Sequence, residues 1–235
     1  MPKTLILIPT LNERQTIAAL LSELLALPVP ELEIAVIDDQ SRDGTVEIVR
    51  ELAARRGRVR LLSRQGPAGR GLAGRDAFLY ALECGAERVL EMDADFSHQP
   101  RHVPALLEAL SRCDMAVGSR MVPGGSDTDR SRGRRWLTLA ANAYARRLLG
   151  LPVTDVNSGF RCFNRRALEA IDPSSLRSRG PSIIHESLVR AVRAGMRIEE
   201  VPIEFLERRA GYSKLSLPRL ISSYFWVLRM TWWNR

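Results

Sequence analysis

Short hydrophobic runs alternate with longer amphipathic segments over the first half of the chain. The runs predict strands at residues 4–8, 34–37, 59–62, 89–92 and 115–117. The segments between them predict helices, the first with an apolar stripe from Ile17 to Leu25 and others after Gly44, over Leu72–Glu83 and after Pro100. This alternation predicts an α/β fold in which helices cover both faces of a mostly parallel sheet and ligands bind outside the carboxyl ends of the strands.

The fourth predicted strand ends in two carboxylates, Asp93 and Asp95, one residue apart. Carboxylate oxygens suit Mg²⁺ and Mn²⁺, which keep some waters and take further ligands from substrate phosphates. Asp-x-Asp is also common in solvated turns, so the pair alone does not establish a metal site. His98 is expected to be a polar strand-end residue near the site rather than a ligand, and His185 is expected on a helix surface.

The strand predicted at 34–37 also leads into two carboxylates, Asp38 and Asp39. Either could accept hydrogen bonds from the ribose or base of a nucleotide, since nucleotides bind at such strand ends. Asp39 is the favoured candidate, because it is expected at the same edge of the sheet as the Asp-x-Asp pair. Asp43 and Thr45 fit a turn and the start of a helix better than a binding site.

Two glycine-rich stretches interrupt the pattern. The first, Gly66–Gly74, resembles a phosphate-binding loop but lacks both the dinucleotide-binding spacing directly after a strand and the Walker ending. It predicts a flexible basic loop and disfavours a dehydrogenase of the Rossmann type. The second, Pro123–Gly133, is rich in Gly, Ser, Asp and Arg and predicts a mobile flap, with a linker between domains as the alternative.

Composition narrows the classes of partner. The 35 Lys and Arg residues against 27 Asp and Glu residues give a net charge of +8, which favours phosphates, nucleic acid or an anionic membrane surface. A nucleic-acid-binding module is disfavoured, because the chain has neither a platform of aromatic and basic residues nor a recognition helix. The cysteines, Cys84, Cys113 and Cys162, are odd in number and have apolar neighbours, which indicates neither a disulfide framework nor a zinc site and fits a reducing cytoplasm.

Length and hydropathy predict a single large α/β domain, placed at residues 1–215, that is soluble or peripheral to a membrane. The N-terminus does not resemble a signal peptide, and no segment has the roughly 18 uninterrupted apolar residues of a membrane span. Residues 216–235 predict an amphipathic helix with Trp and Arg residues beside its apolar stripe, which is typical of a membrane interface. Packing against a membrane-protein partner or against its own domain are the alternatives.

Eight segments follow one another along the chain: Ile8–Glu13, Ile37–Thr45, Gly69–Gly71, Met92–His98, Val117–Arg120, Asn157–Arg161, Glu200–Ile203 and Arg208–Lys214. In this order they resemble the motifs of glycosyltransferase family 2, above all its polyprenol-phosphate (dolichol-phosphate) mannosyltransferase branch. The resemblance implies a GT-A glycosyltransferase fold with a Rossmann-like, mostly parallel central sheet and helices on both faces. It also implies a metal-dependent, inverting transfer of a sugar, usually mannose from GDP-mannose, to a polyprenyl or dolichyl phosphate at the cytoplasmic face of a membrane.

The resemblance assigns roles to individual residues. It implies that Pro9, Glu13, Asp39 and Asp93 bind the nucleotide-sugar donor and that Asp93 and Asp95 bind the Mg²⁺ or Mn²⁺ ion. It also implies that Arg120 and Arg134 face the diphosphate or sugar, and that Arg208 and Lys214 bind the phosphates of donor and acceptor. Because these residues are present, a catalytically inactive partner subunit is disfavoured. A UDP-sugar donor, with glucose or an N-acetylhexosamine, and a non-lipid acceptor are the alternatives within the family.

The chemistry of the expected reaction agrees with these roles. A lipid phosphate is already an anionic nucleophile, so it needs cations that relieve its repulsion from the donor more than it needs a general base. Metal and arginine can then stabilise the departing diphosphate. Asp95 could bind the metal and also orient the acceptor, and no separate base is assigned. Ser97 stands where this branch often has Gln, which leaves a third metal-ligand position to water.

Overall fold

The computed structural model describes residues 3–127 and 132–206, which form a seven-stranded sheet flanked by helices. The strands are β1 (Thr4–Thr10), β2 (Leu32–Asp38), β3 (Val59–Ser63), β4 (Arg88–Glu91), β5 (Met115–Ser119), β6 (Arg161–Asn164) and β7 (Ile198–Pro202). Their order across the sheet is β3-β2-β1-β4-β6-β5-β7. Neighbouring strands are parallel except around β6, which runs antiparallel to both β4 and β5.

Helices connect these strands within the described residues. They are α1 (Ile17–Leu25), α2 (Thr45–Arg56), α3 (Arg70–Glu83), α4 (Val103–Ala109), α5 (Arg132–Leu149), α6 (Arg165–Ile171) and α7 (Ile183–Arg193). Short 3-10 turns lie at Pro100–His102, directly before α4, and at Pro173–Ser175. The strands and helices that the sequence predicts up to β5 are all present, and their ends differ from the predicted ones by a few residues.

Alternate side chains of the central strands enter two hydrophobic cores, one on each face of the sheet. On β1, Leu5 and Leu7 belong to the core that includes α3, α6 and α7, whereas Ile6 and Ile8 belong to the core that includes α1 and α4. All four side chains are fully buried. Burial on both faces explains why these strands are continuous apolar runs rather than alternating ones. The predicted α/β architecture with helices on both faces is therefore confirmed.

The antiparallel strand β6 has no counterpart in the sequence predictions. It is four residues long and begins with a charged residue, Arg161, that is only 1% exposed. Arg161 pairs in register with Glu91, the last residue of β4. The insertion of β6 between β4 and β5 thus places an arginine in the core, beside the strand that leads into the Asp-x-Asp pair.

The sequence predicted a flexible loop over the whole of Gly66–Gly74. This is wrong for its second half, because α3 already begins at Arg70. Gly71 donates its N–H to the carbonyl oxygen of Arg179 over 3.0 Å. A Cβ atom would lie 2.4 Å from the Arg179 oxygen if it were added at Gly69, and 2.2 Å from the Ser178 oxygen if it were added at Gly71. Glycine is therefore needed at both positions for the close approach of this backbone to the start of α3.

Helix α5 presents large hydrophobic side chains to solvent. Trp136, Leu139 and Tyr144 are 73%, 45% and 51% exposed. Part of the preceding stretch, residues 128–131, lies outside the described structure, so the predicted flap and the alternative linker at Pro123–Gly133 are both untested.

None of the helices in the described ranges combines the length and the hydrophobicity that crossing a membrane requires.

We predict that Gly71→Ala destabilises the fold, because the new methyl group has to displace the backbone of Ser178 and Arg179 from α3. Overpacking of this kind lowers the free energy of unfolding by about 1–3 kcal/mol. Gly180→Ala is the matched control, since a Cβ at that position meets nothing within 4 Å. Urea denaturation measures the difference, and a Gly71→Ala protein as stable as its parent would show that the close approach is not required.

Candidate active site

Strand ends place carboxylates along one edge of the sheet. Asp38 is the last residue of β2, Asp39 follows it, and Asp93 and Asp95 follow β4. The strand between them, β1, is parallel to both, and its Thr10 accepts the N–H of Asp39 over 2.9 Å. The carboxylates therefore lie at the carboxyl edge of the parallel strands, as the sequence predicted and where α/β proteins bind ligands.

Asp39 is held by contacts from two directions. Its Oδ1 forms an ion pair with Arg64, and its Oδ2 accepts the N–H of Gly69 over 2.7 Å. Asp38, the other candidate, accepts two backbone N–H groups of the following turn, each over 3.0 Å. The side chain of Asp39 is 7% exposed, so a nucleoside would meet a carboxylate that is already oriented. The binding role of Asp39 stays a prediction.

Side-chain hydrogen bonds join the turns that follow β1 and β2. The hydroxyl group of Thr45 accepts the N–H of Glu13 over 2.9 Å and donates to Asp43 over 2.5 Å. Asp43 also accepts the N–H of Arg14 over 3.0 Å. These contacts confirm that Asp43 and Thr45 shape the turn and the start of α2. They also fix Glu13 at this edge, where it and the buried Pro9 of β1 stay candidates for contact with the nucleoside.

The two carboxylates after β4 differ in environment. Asp95 is buried, and its Oδ1 accepts both the N–H of Ser97 over 3.0 Å and its hydroxyl group over 2.6 Å. The side chain of Asp93 is 37% exposed, and its backbone N–H donates to Nδ1 of His98 over 3.1 Å. Because Nδ1 accepts, the neutral ring carries its proton on Nε2.

His98 is buried in the segment that follows β4 and lies beside Asp93, so it is a polar residue near the site as predicted; that it is not a ligand stays a prediction. Its ring stacks on Phe160 with 4.9 Å between the ring centres. Burial lowers the pKa of His98, although the nearby Asp93 and Asp95 act in the opposite direction. The ring is therefore neutral near pH 7, as its acceptor role at Nδ1 requires.

Asp93 and Asp95 fit a divalent cation that takes further ligands from its substrate. Across residues 3–127 and 132–206, no group of three or more His, Cys, Asp or Glu side chains is arranged to bind a metal. Mg²⁺ commonly uses only one or two protein carboxylates, and waters and substrate phosphates complete its coordination. The hydroxyl group of Ser97 donates to Asp95 and so orients it, and the role of the two aspartates as metal ligands stays a prediction.

A chain of charges that sequence reasoning missed runs from the core to Asp93. Glu91 is fully buried, and its oxygens pair with Arg161 over 2.6 Å and with Arg70 over 2.8 Å. The other terminal nitrogen of Arg70 lies 3.5 Å from Oδ1 of Asp93. Burial raises the pKa of Glu91, but the two guanidinium groups outweigh it and lower the pKa. We call Arg161, Glu91 and Arg70 the buried charge chain. The sequence feature that could have revealed it is Glu91 itself, because a glutamate inside an apolar strand needs a cation to pair with.

Arg120, which was expected to face the diphosphate or sugar, is engaged by Asp155. Its Nε and Nη2 donate to the two carboxylate oxygens, each over 2.7 Å, and its side chain is 6% exposed. The guanidinium carbon also lies 4.8 Å from the ring centre of Phe205. Asp155 is itself held by Glu200, which accepts its N–H over 3.0 Å. The structure thus shows Arg120 in a closed ion pair, and its contact with the donor stays a prediction.

Several predictions concern groups that lie outside the described structure. Arg134 is in the first turn of α5, but its side chain is not among the described ones. Arg208 and Lys214 lie beyond residue 206, as do the domain boundary at 215 and the helix predicted at 216–235. The acceptor side of the site therefore stays a prediction.

Helix α5 is linked to the loop that precedes β6. Oδ1 of Asn142 accepts the backbone N–H of Asn157 over 3.1 Å and its side-chain N–H over 2.8 Å. Oδ1 of Asn157 lies 3.0 Å from Nε2 of His185 on α7. His185 is 5% exposed, so the prediction that it lies on a helix surface is wrong. The reason is that α7 is buried on more than one side.

The sequence matches a known enzyme family over most of its length. The family described as "Glycosyl transferase family 2" matches residues 5–172. Undecaprenyl-phosphate mannosyltransferase of Micrococcus luteus is 40% identical over 214 residues, which cover 91% of this chain and 88% of the relative. Polyprenol monophosphomannose synthase of Mycolicibacterium smegmatis is 38% identical over 227 residues, which cover 96% of this chain and 85% of the relative.

The fold is also similar to a solved enzyme structure. Glucosyl-3-phosphoglycerate synthase from Mycobacterium tuberculosis, in complex with Mn²⁺, UDP and glucosyl-3-phosphoglycerate, superposes with a TM-score of 0.71 and 20% sequence identity. The match covers 98% of this chain and 78% of that chain. At this identity the likeness shows the fold alone, and it confirms the predicted GT-A architecture.

We predict that the protein loses stability as the pH falls from about 6.5 towards 4, in part through His185. Burial lowers the pKa of His185 from 6.5 to about 4. Below about pH 6.5, His185 binds a proton in the unfolded chain but not in the folded one. This difference removes up to roughly 3 kcal/mol from the free energy of unfolding. His185→Gln does not titrate, so its thermal midpoint should fall less between about pH 7.5 and pH 5 than the midpoint of the parent. Equal falls would show that His185 is not the group responsible.

Proposed function

The chain belongs to glycosyltransferase family 2, and from this premise we propose that it transfers mannose from GDP-mannose to a polyprenyl phosphate, with inversion at the anomeric carbon. The observation that carries the proposal is the Asp-x-Asp pair after β4, which shares a sheet edge with Asp39. Two relatives that match most of this chain are named for mannose and a polyprenyl phosphate, and this supports the choice of sugar and acceptor.

The donor is proposed to bind at the ends of β1, β2 and β4. Asp39, oriented by Arg64 and Gly69, can accept hydrogen bonds from the ribose or base. Asp93 and Asp95 would hold a Mg²⁺ or Mn²⁺ ion, which when bound neutralises charge on the diphosphate and helps it to leave. The two hydrogen bonds from Ser97 keep the Asp95 carboxylate in one orientation for this purpose.

The acceptor phosphate needs positive charge rather than a base. One of its oxygens attacks the anomeric carbon of mannose, and the bond from that carbon to the diphosphate breaks with GDP as the leaving group. Arg208 and Lys214 are proposed to bring this anion close to the anionic donor, and Arg134 to face the diphosphate or sugar. Arg120 is proposed to join them through Nη1, since its Nε and Nη2 are engaged by Asp155.

Incubation of the purified protein with undecaprenyl phosphate and either radiolabelled GDP-mannose or radiolabelled UDP-glucose tests the proposal. Label is expected in the organic phase from GDP-mannose alone. Transfer only from the UDP-sugar would favour the alternative donor. Absence of lipid-linked label from either donor would contradict the proposed reaction.

We predict that excess EDTA and Asp95→Asn each lower the transfer rate by about a hundredfold or more, because each removes the ion that stabilises the leaving diphosphate. The substitution removes a charge at nearly constant size, and circular dichroism should show an unchanged fold. Asp172→Asn is the matched control, since Asp172 is exposed and has a φ of 49°, which asparagine tolerates. Full activity in EDTA would rule out a metal role for the Asp-x-Asp pair.

The exposed face of α5 is proposed to contact the cytoplasmic surface of the membrane that carries the acceptor. Trp136, Leu139 and Tyr144 lie near one side of the helix, and Arg146 and Arg147 occupy its last turn. Aromatic and basic residues together favour the interface of an anionic bilayer. The helix predicted at 216–235 would add to this attachment.

We predict that Trp136→Ser weakens binding to vesicles that contain phosphatidylglycerol by about threefold or more, because an interfacial aromatic ring is lost. The side chain is 73% exposed, so the thermal midpoint should not change. Trp136→Phe retains an aromatic ring and should bind nearly as well as the parent. Equal sedimentation of the Trp136→Ser variant and the parent with vesicles would exclude this face as the contact.

A further inference from the structure

Arg70 connects the buried charge chain to the proposed metal site. It is the first residue of α3, and 23% of its side chain is exposed. One terminal nitrogen lies 2.8 Å from Glu91, and the other lies 3.5 Å from Asp93. The residue before it, Gly69, donates its N–H to Asp39 over 2.7 Å. Two successive residues thus touch carboxylates at the ends of both β2 and β4.

Glu91 does not depend on Arg70 for its counter-charge. Arg161 pairs with the other oxygen of Glu91 over 2.6 Å, and it is anchored by the hydroxyl group of Ser187 over 2.7 Å and the carbonyl oxygen of Ile184 over 2.9 Å. Without Arg70, one carboxylate and one guanidinium group would remain together in the core, with no net charge. The charge of Glu91 is then still balanced, although its Oε1 loses the hydrogen bond from Arg70. Arg70 can therefore serve the surface of the site rather than the fold.

A fixed positive charge beside Asp93 has opposite effects on two ligands. It repels a divalent cation that binds to Asp93 and Asp95, and such repulsion is stronger in a partly buried site than in water. It attracts a diphosphate, which can accept parallel hydrogen bonds from the planar guanidinium group. Arg70 therefore opposes the ion alone and favours an ion that arrives with a diphosphate.

We propose that Arg70 makes the divalent cation and the nucleotide diphosphate bind together rather than independently. This inference rests on the proposed function, because it takes a nucleotide diphosphate as the ligand of this site. Before the donor binds, Arg70 is the counter-ion of Asp93. When the donor binds, its diphosphate takes over Arg70, and Asp93 is released to the cation. Departure of the nucleoside diphosphate then restores the pairing of Arg70 with Asp93 and expels the ion.

Titration of Mn²⁺ with and without GDP, followed by electron paramagnetic resonance of the free ion, tests this coupling. In Arg70→Gln, Mn²⁺ alone should bind about tenfold more tightly, and GDP at saturating Mn²⁺ should bind about tenfold more weakly. Arg70→Lys keeps the charge but not the planar fork, so its affinity for Mn²⁺ alone should match the parent. Arg75→Gln, later in the same helix and with a side chain that is 36% exposed, is the matched control and should change neither affinity.

An unchanged or lower affinity of Arg70→Gln for Mn²⁺ alone would overturn the proposal, and so would an unchanged affinity for GDP. A parent protein that binds no Mn²⁺ in either condition would overturn it as well. Failure of the proposed function gives a different result, since these measurements involve no sugar transfer. A parent that binds Mn²⁺ and GDP together but labels no lipid would contradict the mannosyl transfer and leave the effect of Arg70 readable.

Discussion

The pairing of the buried Glu91 carboxylate with Arg161 is the interaction on which the proposed site depends. Glu91 is the last residue of β4 and is fully buried, and an unpaired charge at such a position would cost several kcal/mol. Arg161 can neutralise it because the antiparallel β6 lies directly beside β4. The same pairing fixes the end of β4, the strand that Asp93 and Asp95 follow. The burial of the Glu91 charge therefore also determines where these two aspartates lie.

The groups of the proposed donor side hold one another in place. Gly69 and Arg70 touch carboxylates at two strand ends, and the glycines at the start of α3 hold that helix against the backbone of Ser178 and Arg179. Asp39 and Asp95 are each fixed by at least two contacts. Preorganisation of this kind suits electrostatic catalysis, because the groups need little rearrangement as the diphosphate leaves. The proposed acceptor side relies on cations instead, in keeping with an anionic nucleophile.

The features that the sequence predicted correctly are those set by local patterns. Asp39, Asp93 and Asp95 could be assigned to one edge because each follows an apolar run, and parallel strands share their carboxyl edge. The partner of Glu91 could not be predicted, since Arg161 is 70 positions away and reaches it through a four-residue antiparallel strand. The burial of His185 escaped prediction for a similar reason, because it depends on how α7 packs rather than on its own periodicity.

Anomalous diffraction from Mn²⁺ in crystals of the protein grown with GDP tests the metal and donor assignments most directly. The expected map has one manganese peak within coordination distance of both Asp93 and Asp95, with the diphosphate completing the coordination. Arg70 should then contact the diphosphate and no longer Asp93. A manganese peak away from the two aspartates, or an Arg70 still paired with Asp93 while Mn²⁺ and GDP are bound, would contradict the proposed site.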